Sequence, residues 1–302
     1  MTLREKIESN RFVVCGEITP PQSCDGNVLR DKLKYFKEYA DAVNITDNQR
    51  AIVHLSSIAS AKILLDEDVE PILQMTCRDR NRLAIQSDLL GAAALGIKNL
   101  LCLPGDHQIS GDQREARGVF DLDCVQLVAA AARMNSGFLL SGFEMKKKPE
   151  FFIGAAANPF AEPFEMRLIN LFKKAEAGAR FIQTQHVFDL KPFCRWIEKA
   201  AEMRLHKKTA IIAGIMPVHS VKVLKWMKEK VPGMKINDEY ICRISEAHDP
   251  KEEGIKIALE LIDEVKNLEG VRGIHLMPVM WESVTPVIIS ESRIKEFNKI
   301  GS

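Results

Sequence analysis

The chain carries almost no net charge: 42 lysines and arginines stand against 41 aspartates and glutamates, leaving +1 over 302 residues. A nucleic-acid surface needs a clustered basic excess, so this balance argues against that class of partner. No apolar run approaches the roughly 18 residues of a membrane span, and Met1–Lys6 lacks the apolar stretch of a secretory leader. The seven cysteines are odd in number and never stand at C-x-x-C spacing, so neither a structural zinc site nor an iron–sulfur cluster is expected within the chain. Several fall in apolar segments, where cysteine behaves as a small hydrophobe, and a reducing cytoplasm is the expected setting. There is no His-x-His, which argues against metal-assisted hydrolysis. No Pro/Ser/Gly-rich linker divides the chain, so residues 1–302 are expected to form one domain without a regulatory appendage.

What is present is a rhythm. Apolar runs at 12–18, 41–46, 70–76, 98–103, 151–157, 180–185, 209–215 and 272–277 alternate with helical-period stretches. The latter fall near 28–39, 52–65, 79–95, 121–135, 163–177, 190–204, 219–230 and 252–268, with a last one around 284–298. Glycines end helices before strands, at Gly96 and Gly178. Alternating strands and helices with near-continuous apolar strands predict a parallel sheet. Eight such units in a chain of this length predict an α/β fold, a closed (β/α)8 TIM barrel. A doubly wound open sheet is the rival, but its usual Gly-rich first turn is replaced here by Pro20-Pro21-Gln22-Ser23. Pro232–Asp238 interrupts the rhythm and is expected to be an insertion in the seventh βα connection, on the catalytic face.

In a barrel, chemistry collects at the C-terminal strand ends. Read in order, these ends hold Glu17, Asn44, Thr46, Gln74, Thr76, Gly105, Asp106, Asn158, Gln185, Met277 and Trp281. Glu17 is the most informative of them. It closes an apolar run just before Pro20-Pro21, which cannot continue a strand ladder. A lone carboxyl among apolar neighbours has a raised pKa and holds a proton near neutrality; the plainer alternative is an acid paired with a cation. Asp106 also suits an Asx turn, Gln185 a satisfied buried amide, and Asn158-Pro159 a simple turn. Asn170, Lys173 and Lys174 share a helix face that either binds phosphate or is merely solvated. The adjacent Asp106-His107 pair only superficially matches a cobalamin-binding signature.

Together the segments Gly16–Pro21, Val43–Thr46, Met75–Cys77, Gly105-Asp106, Ala156–Pro159, Asn170–Lys174 with Ala177-Gly178, Gln185–Asp189 and Gly214–Pro217 resemble the methylenetetrahydrofolate reductase family, over about residues 10–290. The resemblance implies a flavin, usually FAD, at a barrel mouth, and reduction of 5,10-methylenetetrahydrofolate to 5-methyltetrahydrofolate, a reaction of one-carbon metabolism that serves methionine biosynthesis or the Wood–Ljungdahl pathway. It places the proton donor on Glu17, the acid near flavin and folate on Asp106, and folate binding on Gln185, with Trp281 near a second-substrate position. Flavin contacts fall on Thr46, Gln74, Thr76, Gly105, Asp106, Asn158, Asn170, Lys173 and Lys174, and further on Asp121 and Glu162. Many bacterial members carry histidine, arginine and tyrosine where this chain has Gln74, Pro104 and Asn158, which leaves FMN open beside FAD. Met227 stands where NADH-using members place a phenylalanine. The combination is similar to the short reductases of anaerobes and acetogens, several of which work beside an iron–sulfur subunit. The implied partners are therefore methylenetetrahydrofolate and an iron–sulfur electron-transfer subunit in place of NADH, in a homo- or hetero-oligomer. A non-catalytic flavin- or folate-binding subunit is the alternative. A Schiff-base lyase fits poorly, because no lysine sits at a strand end.

Overall fold

The computed structural model describes residues 1–231 and 233–300. Pro232, within the expected insertion, and residues 301 and 302 lie outside the described residues. Eight strands form one closed barrel: β1 (Val13–Ile18), β2 (Ala42–Ile45), β3 (Pro71–Thr76), β4 (Asn99–Leu103), β5 (Phe152–Ala157), β6 (Phe181–His186), β7 (Ala210–Ile215) and β8 (Val271–Leu276). Every neighbouring pair is parallel, and β8 returns to β1. The predicted strands are all present. They are buried on both faces, between the barrel interior and the helix layer, which is why they read as continuous apolar runs rather than alternating ones.

Three buried clusters follow from this layering. Val13, Cys15, Ile72, Leu101, Phe152, Phe181, Ala210 and Ile212 fill the barrel together with Leu3 and Ile7 of a short helix, Leu3–Glu8. That helix is too short for its periodicity to stand out in the sequence. It is set by a capping box between Thr2 and Glu5, and its apolar face enters the barrel core. The largest cluster lies between strands and helices. Phe36, fully buried in a separate cluster with Ile18, Leu29 and Val43, packs so closely on β1 that a Cβ at Gly16 would fall 2.4 Å from its ring.

Several helices differ from expectation. The first spans only Asn27–Leu33 and unwinds into turns. The second starts at Ser57. The last divides into Thr285–Glu291 and Ile294–Ile300 around Arg293, whose φ of +55° cannot continue a right-handed helix. The seventh connection holds three helices, Val221–Lys230, Asp238–Glu246 and Pro250–Lys266. Between the first two, Ile236 bridges to Phe188 just beyond β6, and Lys235 approaches Glu162 at 3.5 Å. This segment therefore lies on the side of the C-terminal strand ends. No helix among the described residues is long and apolar enough to cross a membrane.

Candidate active site

A cavity of about 350 Å³ opens at the C-terminal ends of the strands. That is within the range of small-molecule sites, roughly 300–1,000 Å³. Of the residues singled out in the sequence, it brings together Glu17, Gln74, Thr76, Gly105, Asp106, Asn158, Asn170, Lys174, Gln185 and Met277. The remaining candidates stand apart. Lys173 is exposed and faces a separate hollow beside Asp123 and Met166. Asp121 is tied to Arg82 at 2.9 Å and receives its backbone N–H at 2.8 Å. Glu162 accepts from the Phe164 N–H and lines a neighbouring surface cleft. Thr46 and Asn44 are buried beside the cavity without lining it, and Asn44 spends its amide on the Gly16 carbonyl. Trp281 packs edge-on against His219, with ring centres 4.6 Å apart. Met227 is buried in the helix layer, away from the cavity, so it is not positioned to hold a nicotinamide.

Glu17 sits one residue before the end of β1, and strand parity points it inward. It is not the lone carboxyl expected from its apolar flanks. Gln74 Nε2 donates to its Oε2 at 3.0 Å, and His275 Nε2 of β8 lies 3.3 Å from the same oxygen. The imidazole approaches obliquely, so this is a close polar contact rather than an aligned hydrogen bond. Burial pushes the Glu17 pKa up, but His275 and Gln74 outweigh it, and the carboxyl lies below the ordinary glutamate range. The sequence-based expectation of a raised pKa is thus overturned by a residue at the far end of the chain. Nearby His186 is pushed down to about 4 by burial, against the pull of Glu17 and assisted by His275; its ring is neutral at ordinary pH.

Around this centre the structure adds residues the sequence reading missed. Asp47, 3% exposed, accepts from the Thr76 N–H and O–H at 2.9 Å each. It also accepts from Arg80 Nη1 at 2.7 Å and Nη2 at 3.1 Å. The pair fixes the end of β3 on which Gln74 and Thr76 stand. Arg78, with a side chain only 2% exposed, donates to the Asp106 and Asn48 carbonyls at 3.1 Å and pairs with Asp79 at 2.7 Å. It puts a guanidinium into the cavity wall although Pro104 does not. Arg167, Asn170 and Lys174 lie one turn apart on the helix Phe164–Ala177 and face the cavity together. Arg167 Nε is buried without a partner, and Lys174 Nζ donates to the Ala156 carbonyl at 2.6 Å. Gln183, two residues before Gln185 on the inward side of β6, is 2% exposed. Neither its amide nitrogen nor its oxygen has a hydrogen-bond partner, although the Cys15 thiol lies close enough to feel it. Inward parity on an apolar strand was the signal that marked both Gln183 and His275.

The rim is held by irregular backbone. Asn48, Arg50 and Ala51 all have positive φ, at 46°, 58° and 56°, conformations that non-glycine residues keep where surrounding structure enforces them, often at functional sites. The Arg50 N–H donates to Asp106 Oδ2 at 3.0 Å, so Asp106 is exposed at the rim but oriented. Gly105, φ +84°, admits no side chain: a Cβ would meet Arg78 at 2.9 Å and Thr76 at 3.1 Å.

The sequence pattern of the methylenetetrahydrofolate reductase family matches residues 2–293. Methylenetetrahydrofolate reductase 2 of Schizosaccharomyces pombe is 28% identical over 249 residues, 78% of this chain and 38% of that protein. Methylenetetrahydrofolate reductase 1 of the same organism is 22% identical over 244 residues, again 38% of its length. The 5,10-methylenetetrahydrofolate reductase of Buchnera aphidicola is 25% identical over 206 residues, 63% of this chain and 60% of that protein. The chain thus spans well under half of the yeast relatives. A solved protein from Clostridium thermocellum, described as binding two copies of 5-methyl-5,6,7,8-tetrahydrofolic acid, superposes with a TM-score of 0.66 over 99% of both chains at 15% identity. At that identity the likeness is one of fold.

Proposed function

The chain belongs to the methylenetetrahydrofolate reductase family, and on that premise we propose that it reduces 5,10-methylenetetrahydrofolate to 5-methyltetrahydrofolate at the barrel mouth. The observation that carries this reading is the juxtaposition in one cavity of a buried acid, Glu17, a rim carboxylate, Asp106, and an inward-facing amide, Gln183, whose polar atoms are unpartnered. Buried polar atoms are ordinarily paired, so this set suits a planar ligand with a hydrogen-bonding edge.

The residues also fit a flavin, on which the family generally depends. Gln183 and Gln74 offer amides to a ring edge, and Gly105 lets backbone approach closely. Arg167, Lys174 and Arg78 supply cations for a phosphate tail; this leaves both FAD and FMN compatible. When bound, the flavin supplies the hydride; the protein supplies binding, orientation and proton transfer. Glu17 delivers a proton to N10 of the substrate as the carbon–N10 bond opens. The Asp106 carboxylate favours the cationic iminium so formed. Gln185 at the rim both donates and accepts, as a pterin edge requires.

The electron source is an iron–sulfur partner subunit, on the resemblance to the short reductases alone; Met227, buried in the helix layer, lends it no support. Brisk reduction of the flavin by NADH in the isolated chain would remove the partner from the scheme.

The test of the main reading is Glu17→Gln in the purified, flavin-loaded protein. Reduction of the flavin should be nearly unchanged, while oxidation of reduced flavin by methylenetetrahydrofolate should slow by about 10²–10⁴, the usual worth of a general acid. Equal loss in both half-reactions, or in neither, refutes the assignment.

A further inference from the structure

His275 stands on β8 and is 4% exposed, and its Nε2 reaches no hydrogen-bond partner. The polar atom it approaches is Glu17 Oε2, at 3.3 Å. A buried imidazole nitrogen 3.3 Å from a carboxylate oxygen avoids repulsion between lone pairs only when that nitrogen carries hydrogen. Gln74 donates its N–H to the same oxygen from β3, which also favours the ionised carboxylate. Both neighbours therefore prefer Glu17 without its proton, whereas the reaction proposed for this site requires Glu17 to give a proton away.

We infer that Glu17 and His275 form one acid: His275 stores the exchangeable proton in the resting protein and passes it to the substrate through Glu17. This rests on the function proposed above. The bookkeeping of bonds is simple. With hydrogen on both ring nitrogens of His275 in the resting pair, the Nε2–H bond breaks as an O–H forms at Glu17 Oε2. That O–H breaks as an N–H forms at substrate N10 and the carbon–N10 bond opens. The pair is left as carboxylate and neutral imidazole, and one proton from water restores it.

The surroundings leave the stored proton few other places. His186, on β6, is neutral, because its pKa is pushed down to about 4 by burial first of all. From β1 below, the Cys15 thiol is held protonated by burial. The other charged groups lining the cavity are engaged elsewhere: Asp47 with Arg80, Arg78 with Asp79, Lys174 with the Ala156 carbonyl, and Asp106 with the Arg50 N–H. Arg167 donates to the Glu162 carbonyl and has no acceptor to offer. In this arrangement His275 is a positioning residue, acting on the substrate through Glu17.

Infrared difference spectroscopy of the ligand-free, flavin-loaded protein tests this directly, with Glu17→Gln used to assign the carboxyl band. In the wild type Glu17 should appear as carboxylate at neutral pH. In His275→Asn its protonation should move to higher pH by about one unit or more, since removal of the imidazole leaves burial to dominate. The folate half-reaction of His275→Asn should slow about tenfold and follow the pH titration of the lone Glu17, with flavin reduction unchanged. A protonated Glu17 in the neutral wild type overturns the inference, and that spectrum needs no histidine variant to fold. An unchanged Glu17 titration in His275→Asn overturns it equally. Should Glu17→Gln retain full folate reduction while the titration shift is present, the functional reading fails and the pair survives as a structural feature; an inactive Glu17→Gln with no shift in His275→Asn sinks the pair alone.

Discussion

Replacing Asp47 with alanine should destabilise the barrel and loosen the wall of the candidate site together. The carboxylate is 3% exposed and accepts four bonds of 3.1 Å or less: two from Arg80 and two from Thr76. Hydrogen bonds to charged groups contribute about 1.5–3 kcal/mol each, but they are not additive, and alanine also escapes the cost of burying a charge. What remains is the cost of stranding the partners. Arg80 keeps Asp88 at 2.8 Å, whereas the Thr76 N–H is left without an acceptor. Breaking one side of a buried pair costs about 3–5 kcal/mol; the residual Asp88 contact places this case near the lower end, about 3–4 kcal/mol. An unfolding entropy of ~2.1 cal/mol/K per residue over 302 residues makes each kcal/mol worth about 1.6 °C, so the midpoint should fall about 5–6 °C. Calorimetry reads this. Replacing Arg80 as well, in Asp47→Leu/Arg80→Met, should recover much of the loss, because an apolar pair leaves no stranded charge. A drop of less than about 1 °C in Asp47→Ala, or strictly additive losses in the double variant, would refute the reasoning.

Gly105→Ala forces a side chain into a φ of +84° against Arg78 and Thr76; it should cost about 1–3 kcal/mol by denaturant titration and weaken flavin binding. Gln183→Leu removes a buried amide with no partners. It should stabilise the ligand-free protein by about 1–3 kcal/mol while lowering flavin or folate affinity roughly tenfold, the ~1.4 kcal/mol of a lost polar contact. Stability below the ordinary aspartate pKa should depend on Asp121, whose bonds from Arg82 hold its carboxyl down at about 2 against an ordinary 3.8. A depressed folded pKa means that the contribution is full above 3.8 and disappears as pH falls toward about 2. Asp121→Asn should therefore flatten that part of the stability–pH curve, and an unchanged slope counts against the pair. Glu17 has the same sign of dependence below its ordinary 4.5.

The barrel was legible because its units repeat. Each strand announces itself by an apolar run bounded by turn residues, and each observed strand begins or ends within about two residues of the run that predicted it. The helix Leu3–Glu8 escaped because six residues give too little periodicity. The helix Asp238–Glu246 escaped because it starts at the last residue of the segment read as an insertion, Pro232–Asp238, and fills the stretch before 252 that the periodicity left unassigned. Glu17, Gln74, Asp106 and Gln185 were legible as polar residues at strand ends, where a barrel must place its chemistry. Lys173 was misplaced because residues 173 and 174 are both basic, and only packing selects which faces the cavity: Lys174 is 8% exposed and Lys173 is on the surface.

From the linear chain alone came the closed parallel barrel, its strand order and the acid at the mouth, since periodicity and breaker residues are local properties. Tertiary structure alone decided what that acid is. β1 and β8 meet only when the sheet closes, and closure brings His275 against Glu17; the pairing of β3 with β2 and β4 brings Arg80 against Asp47 and Arg78 to the wall near Asp106. A carboxyl's proton affinity is set by the charges and donors within a few ångströms of it, and here those come from β3 and from β8, which the sequence separates from β1 by nearly its whole length.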